Sequence, residues 1–192
     1  MQNNSILAGV GGQGILSIAA VIDWAALKSG LSIRQAEVHG MSQRGGAVQS
    51  HLRIADHEMY SDLIAFGTAN LILSVEPLEA LRYLPYLAPE GRVVTAMEPF
   101  VNIADYPPIE AIVAELEKNT NRPILVNATA IARQAGNVRA ANMVMLGAGA
   151  AFTGIGPAVL EEGIAALFGA KGREIVELNI RAFRAGQELS TS

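Results

Sequence analysis

The sequence predicts an α/β fold: three layers, α/β/α, around a mostly parallel sheet, with an antiparallel hairpin near residues 31–54 and a helical C-terminal tail. Three observations predict it. Short apolar runs alternate with stretches of helical periodicity through most of the 192 residues. A glycine-rich turn links the first strand candidate to the first helix candidate. Residues 39–46 are too few for the crossover of about 10–12 residues that a third parallel strand needs.

Residues 6–8 open the chain as an apolar strand, and Gly9-Val10-Gly11-Gly12-Gln13-Gly14 follows as a loop. Ile15, Ile18, Ala19, Ile22 and Ala26 recur at helical spacing, so residues 15–29 read as a helix ended by Gly30. Leu16, Val21, Trp24 and Leu27 make its other sides apolar, which predicts cover on most faces. Residues 31–38 and 47–54 read as strands around the loop 39–46. In the second, Val48, Ser50, Leu52 and Ile54 share one face, with Gln49, His51 and Arg53 on the other. Asp56-His57-Glu58 is turn material. Residues 71–75 form a buried strand. Pro77 opens a helix that stops before Pro85. Residues 91–96 are a strand, and 108–118 a helix with Ile109, Ile112, Val113 and Leu116 on one face. Residues 124–127 are a strand. Residues 129–134 are a short helix closed by Gly136, and Asn137 caps the apolar helix beyond it. Helices at 158–168 and 173–189 complete the chain, which reads as one domain over 1–192.

Composition narrows the function classes. Hydrophobic residues are 51% and charged residues 17%, a balance that excludes disorder and points to a buried interface with a partner. The net charge is −4 and no basic tract occurs, so the footprint of a nucleic-acid binder is missing. There is no cysteine. That fits a reducing cytoplasm and forbids a thiolate-held iron–sulfur cluster or zinc site in this chain. Met1-Gln2-Asn3-Asn4 lacks the basic start and apolar run of a signal peptide. The uncharged stretch between Arg139 and Glu161 is long enough to prompt a membrane reading, but Asn142, Thr153, four glycines and Pro157 interrupt it. It reads instead as a packed helix, a turn at 154–157 and the start of another helix.

The glycine loop carries the first functional reading. Gly9, Gly11 and Gly14 match G-x-G-x-x-G, and with Gly12 and Gln13 they place flexible backbone and helix N–H groups where an anion can approach. Glu37, about twenty residues on, fits the acid that holds a ribose in dinucleotide folds. The short 39–46 segment argues the other way, since it has two adjacent glycines and no helical period. A tight strand–helix turn with no ligand is the plainer alternative.

The hairpin tip carries the second. His39, Met41, Ser42, Gln43, Arg44 and Gly45 concentrate hydrogen-bond donors and one apolar gap-filler on a loop. Arg44 offers a planar fork suited to carboxylate or phosphate, or to a local partner such as Glu37. This pattern predicts a face toward a substrate mouth or a partner chain.

At these two segments the sequence resembles a known family. Gly-Val-Gly-Gly-Gln-Gly-Ile followed by Glu-Val-His-Gly-Met-Ser-Gln-Arg-Gly-Gly looks like the small (beta) subunit of indolepyruvate:ferredoxin oxidoreductase, and more broadly the gamma subunit or domain of 2-oxoacid:ferredoxin oxidoreductases. The likeness continues through Gly136-Asn137, Asn142-Met143-Val144-Met145-Leu146-Gly147, and Asn179, Ala182, Phe183 and Gly186. The resemblance implies a large alpha subunit that carries thiamine diphosphate, magnesium and the [4Fe–4S] clusters, with coenzyme A as co-substrate and ferredoxin as the eventual electron acceptor. It implies oxidative decarboxylation of an arylpyruvate, an anion or coenzyme A phosphate at the glycine loop, and no catalytic residue in this chain. Pyruvate, 2-oxoisovalerate or 2-oxoglutarate as the oxoacid, a stand-alone dinucleotide binder using residues 9–14 and Glu37, and a ligand-free interface module stay open. An isolated chain is expected to self-associate through its apolar partner face.

The remaining candidates are bland. His39, His51 and His57 share no metal-ligand spacing. Glu98, Asp105 and Glu110 form no recognisable acid pair, and Ser17, Ser42 and Ser50 lack a nucleophile-elbow context. Glu79 and Arg82 read as an exposed helix pair. Gly147-Ala148-Gly149-Ala150-Ala151 reads as a close-packing surface for another helix.

Overall fold

The first apolar run extends in both directions to form β1 (Gln2–Val10), the strand around which the sheet is built. Ile6, Leu7 and Ala8 are sealed on both faces, as expected of a strand with helices above and below. In this computed structural model, residues 1–40, 45–101 and 103–190 are described. Met41, Ser42, Gln43 and Arg44, on which much of the hairpin-tip reading rests, lie outside the described residues.

After β1 the chain passes through the glycine turn into α1 (Ile15–Lys28), which ends at Ser29 and the left-handed Gly30. β2 (Ser32–His39) and β3 (Ala47–Ala55) pair antiparallel from Ser32 opposite Ala55 to His39 opposite Val48. The expected hairpin is therefore present, with no helical crossover between its strands. β3 also pairs antiparallel with β1. β4 (Ala69–Ser74), α2 (Pro77–Arg82), β5 (Leu87–Ala96), α3 (Ile109–Asn119) and β6 (Ile124–Val126) follow. The sheet order is β2-β3-β1-β4-β5-β6, and the β1–β4, β4–β5 and β5–β6 pairs are parallel. β3 alone runs against the others, which makes the sheet mixed but mostly parallel.

The chain turns outward in opposite directions after β1 and after β4. The C-terminal ends of these two neighbours thus form a topological switch point, where open α/β sheets hold ligands. One face of the sheet packs α1 together with the C-terminal helices α4 (Ala128–Ala135), α5 (Ala141–Gly149), α6 (Pro157–Phe168) and α7 (Arg173–Gln187). The other face packs α2 and α3 through Ala80, Ile112 and Leu116. Among the described residues no helix is long and apolar enough to cross a membrane. The stretch after Arg139 is α5, a short 3-10 turn and the start of α6.

Two local expectations need correction. Asn137 caps the 3-10 turn Val138–Ala140 that leads into α5, and its side chain accepts from the Arg139 N–H at 2.9 Å. Glu79 is not exposed: only 5% of it reaches solvent, although the Arg82 side chain beside it is open. Glu79 lies in the first turn of α2, which the Glu76 side chain caps and which packs over the interior strands β1, β4 and β5.

Candidate functional site

The glycine turn sits at the switch point. Its geometry follows from four internal hydrogen bonds. The Gln13 side chain turns back to accept from the Val10 N–H at 2.7 Å, and the Gln13 N–H donates to the Val10 carbonyl at 3.1 Å. The Gly11 N–H donates to the Gly46 carbonyl at 2.9 Å, which ties the turn to the hairpin. Asn142, on α5, donates to the Gly14 carbonyl at 3.3 Å. Gly14 has φ 84°, a left-handed conformation that favours glycine, and a Cβ there would meet Asn142 Nδ2 at 2.6 Å and push that amide off the Gly14 carbonyl.

Two of the N–H groups expected to face an anion, those of Gly11 and Gln13, are therefore already engaged. Among the described residues no acceptor meets the N–H groups of Gly12, Gly14, Ile15 or Leu16. The first turn of α1 holds no acidic side chain and no side-chain cap. Its donors and positive dipole end are thus open at the Gly12–Leu16 end of the turn.

Cavities lie on both sides of this turn. One of about 650 Å³ is bounded by Gly11, Gly12, Leu16, His39, Gly40 and Val48, between the turn and the hairpin. The structure thus places His39 on one cavity with the glycine loop. Gly45 also stays near this end, where a Cβ on it would lie 3.7 Å from the Phe100 ring. A second cavity, about 550 Å³, is bounded by Gly12, Gly14, Arg139, Asn142, Lys171 and Asn179. A smaller one of about 230 Å³ adjoins it, with Gln13, Val75, Glu98, Thr129 and Arg139 on its walls.

Glu37 does not stand ready for a ribose. It accepts from Gln35 Nε2 at 2.7 Å, and its other oxygen lies 3.3 Å from His39 Nε2. Its charge also reaches Asp23 on α1. Burial, and then Glu37, push the Asp23 carboxyl up to about 6, and Asp23 Oδ1 is enclosed with no hydrogen-bond partner. His51 is buried too; burial lowers its pKa, and Nδ1 accepts from the Ile64 N–H at 3.1 Å while the ring stands edge-on to Tyr86. His57 lies on an exposed turn beside Asp56. His39 and His51 lie on the paired strands β2 and β3, three positions out of register, and His57 lies on the turn after β3. Among the described residues no group of His, Asp or Glu side chains could hold a metal ion.

A second polar centre went unread in the sequence. Glu76 is 1% exposed. Its carboxylate accepts from the Glu79 N–H at 2.9 Å, from the Phe100 N–H at 3.2 Å and from the Tyr106 hydroxyl. It binds the crossover after β5 to the start of α2. That crossover carries Met97, Phe100, Val101 and Ile103 with their side chains exposed, an apolar rim next to the hairpin. Tyr106 is shifted upward by burial and by this bond. Arg139, Lys171 and Glu98 were likewise missed, because nothing in their spacing relates them to a loop more than eighty residues earlier. Asn142 and Asn179 lay within the stretches of resemblance, without a role.

A glycine turn opens a helix at the switch point of a mostly parallel sheet, with basic and amide side chains around it, and this arrangement defines the class as an α/β domain with an uncapped helix start at the usual ligand position. The chain belongs to the pyruvate ferredoxin/flavodoxin oxidoreductase family, whose model matches residues 4–189. It is 38% identical to the indolepyruvate oxidoreductase subunit IorB of Methanothermobacter thermautotrophicus, over 97% of this chain and 96% of that one. The fold matches the gamma subunit of a keto/oxoacid ferredoxin oxidoreductase from Geobacter sulfurreducens with a TM-score of 0.70 at 25% identity, covering 98% of both chains. It also matches a 2-oxoglutarate:ferredoxin oxidoreductase of Magnetococcus marinus, a structure with coenzyme A bound, with a TM-score of 0.77 at 21% identity, over 99% of this chain and 31% of that longer one.

Proposed function

We propose that this chain is the small subunit, a single gamma-type domain over 1–192, of a cytoplasmic 2-oxoacid:ferredoxin oxidoreductase that acts on indolepyruvate or a related arylpyruvate. The observation that carries this reading is the likeness to the indolepyruvate oxidoreductase subunit along nearly the whole of both chains. The proposed reaction converts the oxoacid and coenzyme A to an acyl-CoA and carbon dioxide. Two electrons pass through iron–sulfur clusters to ferredoxin.

In this reading the large subunit holds thiamine diphosphate, magnesium and the [4Fe–4S] clusters. A chain with no cysteine has no thiolate for a cluster. Thiamine diphosphate supplies the electron sink for decarboxylation. The residues of this chain position and shield. Gly9, Gly11, Gly12, Gln13 and Gly14 shape a turn for an anion such as a phosphate of coenzyme A. His39, Met41, Ser42, Gln43, Arg44 and Gly45 face the large subunit's active-site mouth, and the apolar rim of Met97, Phe100, Val101 and Ile103, which Gly45 adjoins at Phe100, extends that face.

The test is co-expression with a large thiamine-dependent subunit under anaerobic conditions, pull-down, and an assay with indolepyruvate, phenylpyruvate and branched 2-oxoacids. Assembly with highest turnover on an arylpyruvate is expected. Arg44→Ala is expected to lower turnover at least about tenfold, the scale of one lost charge-assisted contact of about 1.5–3 kcal/mol. A chain that binds no such subunit would end the assignment. Unchanged turnover and assembly in Arg44→Ala would remove the hairpin tip from it.

A further inference from the structure

We propose that the outer edge of β2 pairs with β2 of a second copy of this chain, antiparallel about Ala36, so that one sheet runs through both copies. This contact is separate from the glycine turn and needs no large subunit.

β2 is an open edge of the sheet, with β3 as its one neighbour. The Gly40 N–H donates to the Ala47 carbonyl at 2.8 Å. Successive residues of a strand aim their N–H and C=O groups to opposite sides, so those of Ala36 point at β3. Those of Ile33, Gln35, Glu37 and His39 point outward. Among the described residues none of these outward groups has a hydrogen-bond partner. No residue of β2 is buried.

Edge strands are kept from pairing by shortness, by Pro or Lys, or by a bulge. The opposite edge, β6, is three residues long. β2 is eight residues long, has no Pro or Lys, and pairs with β3 without a register shift. Its charged side chains are turned onto their own protein. Arg34 donates to the Met59 carbonyl at 2.9 Å and lies 3.8 Å from Asp62, while Glu37 accepts from Gln35.

The two-fold relation selects the register. In an isologous antiparallel contact, residues directly opposite share a face, so the axis passes through a residue. An axis at Gln35 sets Glu37 against the apolar Ile33. One at Glu37 sets two carboxylates against each other. An axis at Ala36 places the smallest side chain of β2 at the centre and sets Gln35 opposite Glu37, an amide donor against a carboxylate, on both sides of the axis. It also sets Arg34 opposite Val38. Met59, held on Arg34, is followed by Tyr60, which is 87% exposed, and Val38 is 51% exposed on the same face as Arg34. Each of these open apolar side chains then meets the other from the second copy.

Sedimentation of the full chain and single-cysteine cross-linking test this. The chain has no cysteine, so Ala36→Cys supplies its one thiol. At the axis the two copies of residue 36 form a non-hydrogen-bonded pair with Cα atoms about 4.5 Å apart, within disulfide reach. The parent is expected to be a dimer at micromolar concentration. Ala36→Cys is expected to give a covalent dimer on oxidation with diamide, reversed by a reductant. Glu117→Cys, exposed on α3, is expected to stay uncross-linked under the same oxidation. Ala36→Lys, with its melting temperature checked against the parent, sets like charges on the axis and is expected to raise the dimer dissociation constant at least about tenfold. A monomeric parent, a dimer unweakened by Ala36→Lys, or Ala36→Cys cross-linked no more than Glu117→Cys would overturn the proposal. Cross-linking of Ala36→Cys to a co-expressed large subunit in place of a second copy would also overturn it, and would leave the subunit assignment standing. A cross-linked dimer of a chain that assembles with no large subunit would do the reverse.

Discussion

Gly147 on α5 and Gly186 on α7 lie in each other's backbone. A Cβ on Gly147 would sit 2.0 Å from the Phe183 carbonyl oxygen, and one on Gly186 would sit 2.0 Å from that of Val144. Each glycine rests on one turn of the opposite helix, between residues 183 and 187 or between 144 and 148. At these two positions no side chain intervenes, so the helices approach to backbone contact. Asn142 at the start of α5 and Asn179 on α7 are thereby brought to the same cleft. Gly147→Ala or Gly186→Ala is expected to destabilise the fold by about 3 kcal/mol or more, since backbone cannot move aside as a side chain can. Urea unfolding checks this; a loss under about 1 kcal/mol would contradict the contact.

Glu76 fixes the crossover that carries Phe100. Removing a buried carboxylate that satisfies three donors leaves those donors unmet. Glu76→Ala is expected to cost about 3 kcal/mol, and Glu76→Gln less, because an amide oxygen still accepts. Hydrogen exchange at the Phe100 amide should accelerate in both. Unchanged protection there would show that the strap does not depend on Glu76.

Asp23 is a stability cost at neutral pH. Burial raises its folded pKa to about 6, above the ordinary carboxylate value of 3.8. The native state therefore holds the proton more tightly, and stability falls as pH climbs through the interval between the two values. Partial exposure screens the effect, leaving about 1 kcal/mol at pH 7.5. Asp23→Asn is expected to raise the melting temperature by about 2–4 °C at pH 7.5, with little change at pH 3.5. A gain equal at both pH values would point to another cause.

His51 has the opposite dependence. Burial lowers its pKa, so the folded state resists a proton that the unfolded state accepts. Stability from the neutral ring is kept above pH 6.5 and is lost as pH falls below it. Protonation also removes the Nδ1 acceptor of the Ile64 N–H. Exchange at Ile64 should speed up between pH 7 and 5 beyond its intrinsic pH trend, and His51→Gln should flatten that excess. No excess in the parent would rule the coupling out.

Much of the fold was legible in local patterns. The strand–glycine–helix start, the hairpin forced by a short connection and the close-packing role of residues 147–151 all follow from periodicity, turn chemistry and chain length, which act between near neighbours. Glu79 misled because an i,i+3 pair with Arg82 describes one helix surface and says nothing of what that surface meets. Burial also raises the Glu79 pKa, against the pull of Arg82.

The sequence by itself determined the class of fold, the glycine turn at the head of α1, the antiparallel return after β2 and the absence of thiolate chemistry. Only the tertiary structure decided which N–H groups of that turn remain free, and that Arg139 and Lys171 stand beside it. The physical reason is that hydrogen-bond engagement and charge clustering depend on groups more than a hundred residues apart, which the packing of α5 against α7 brings together.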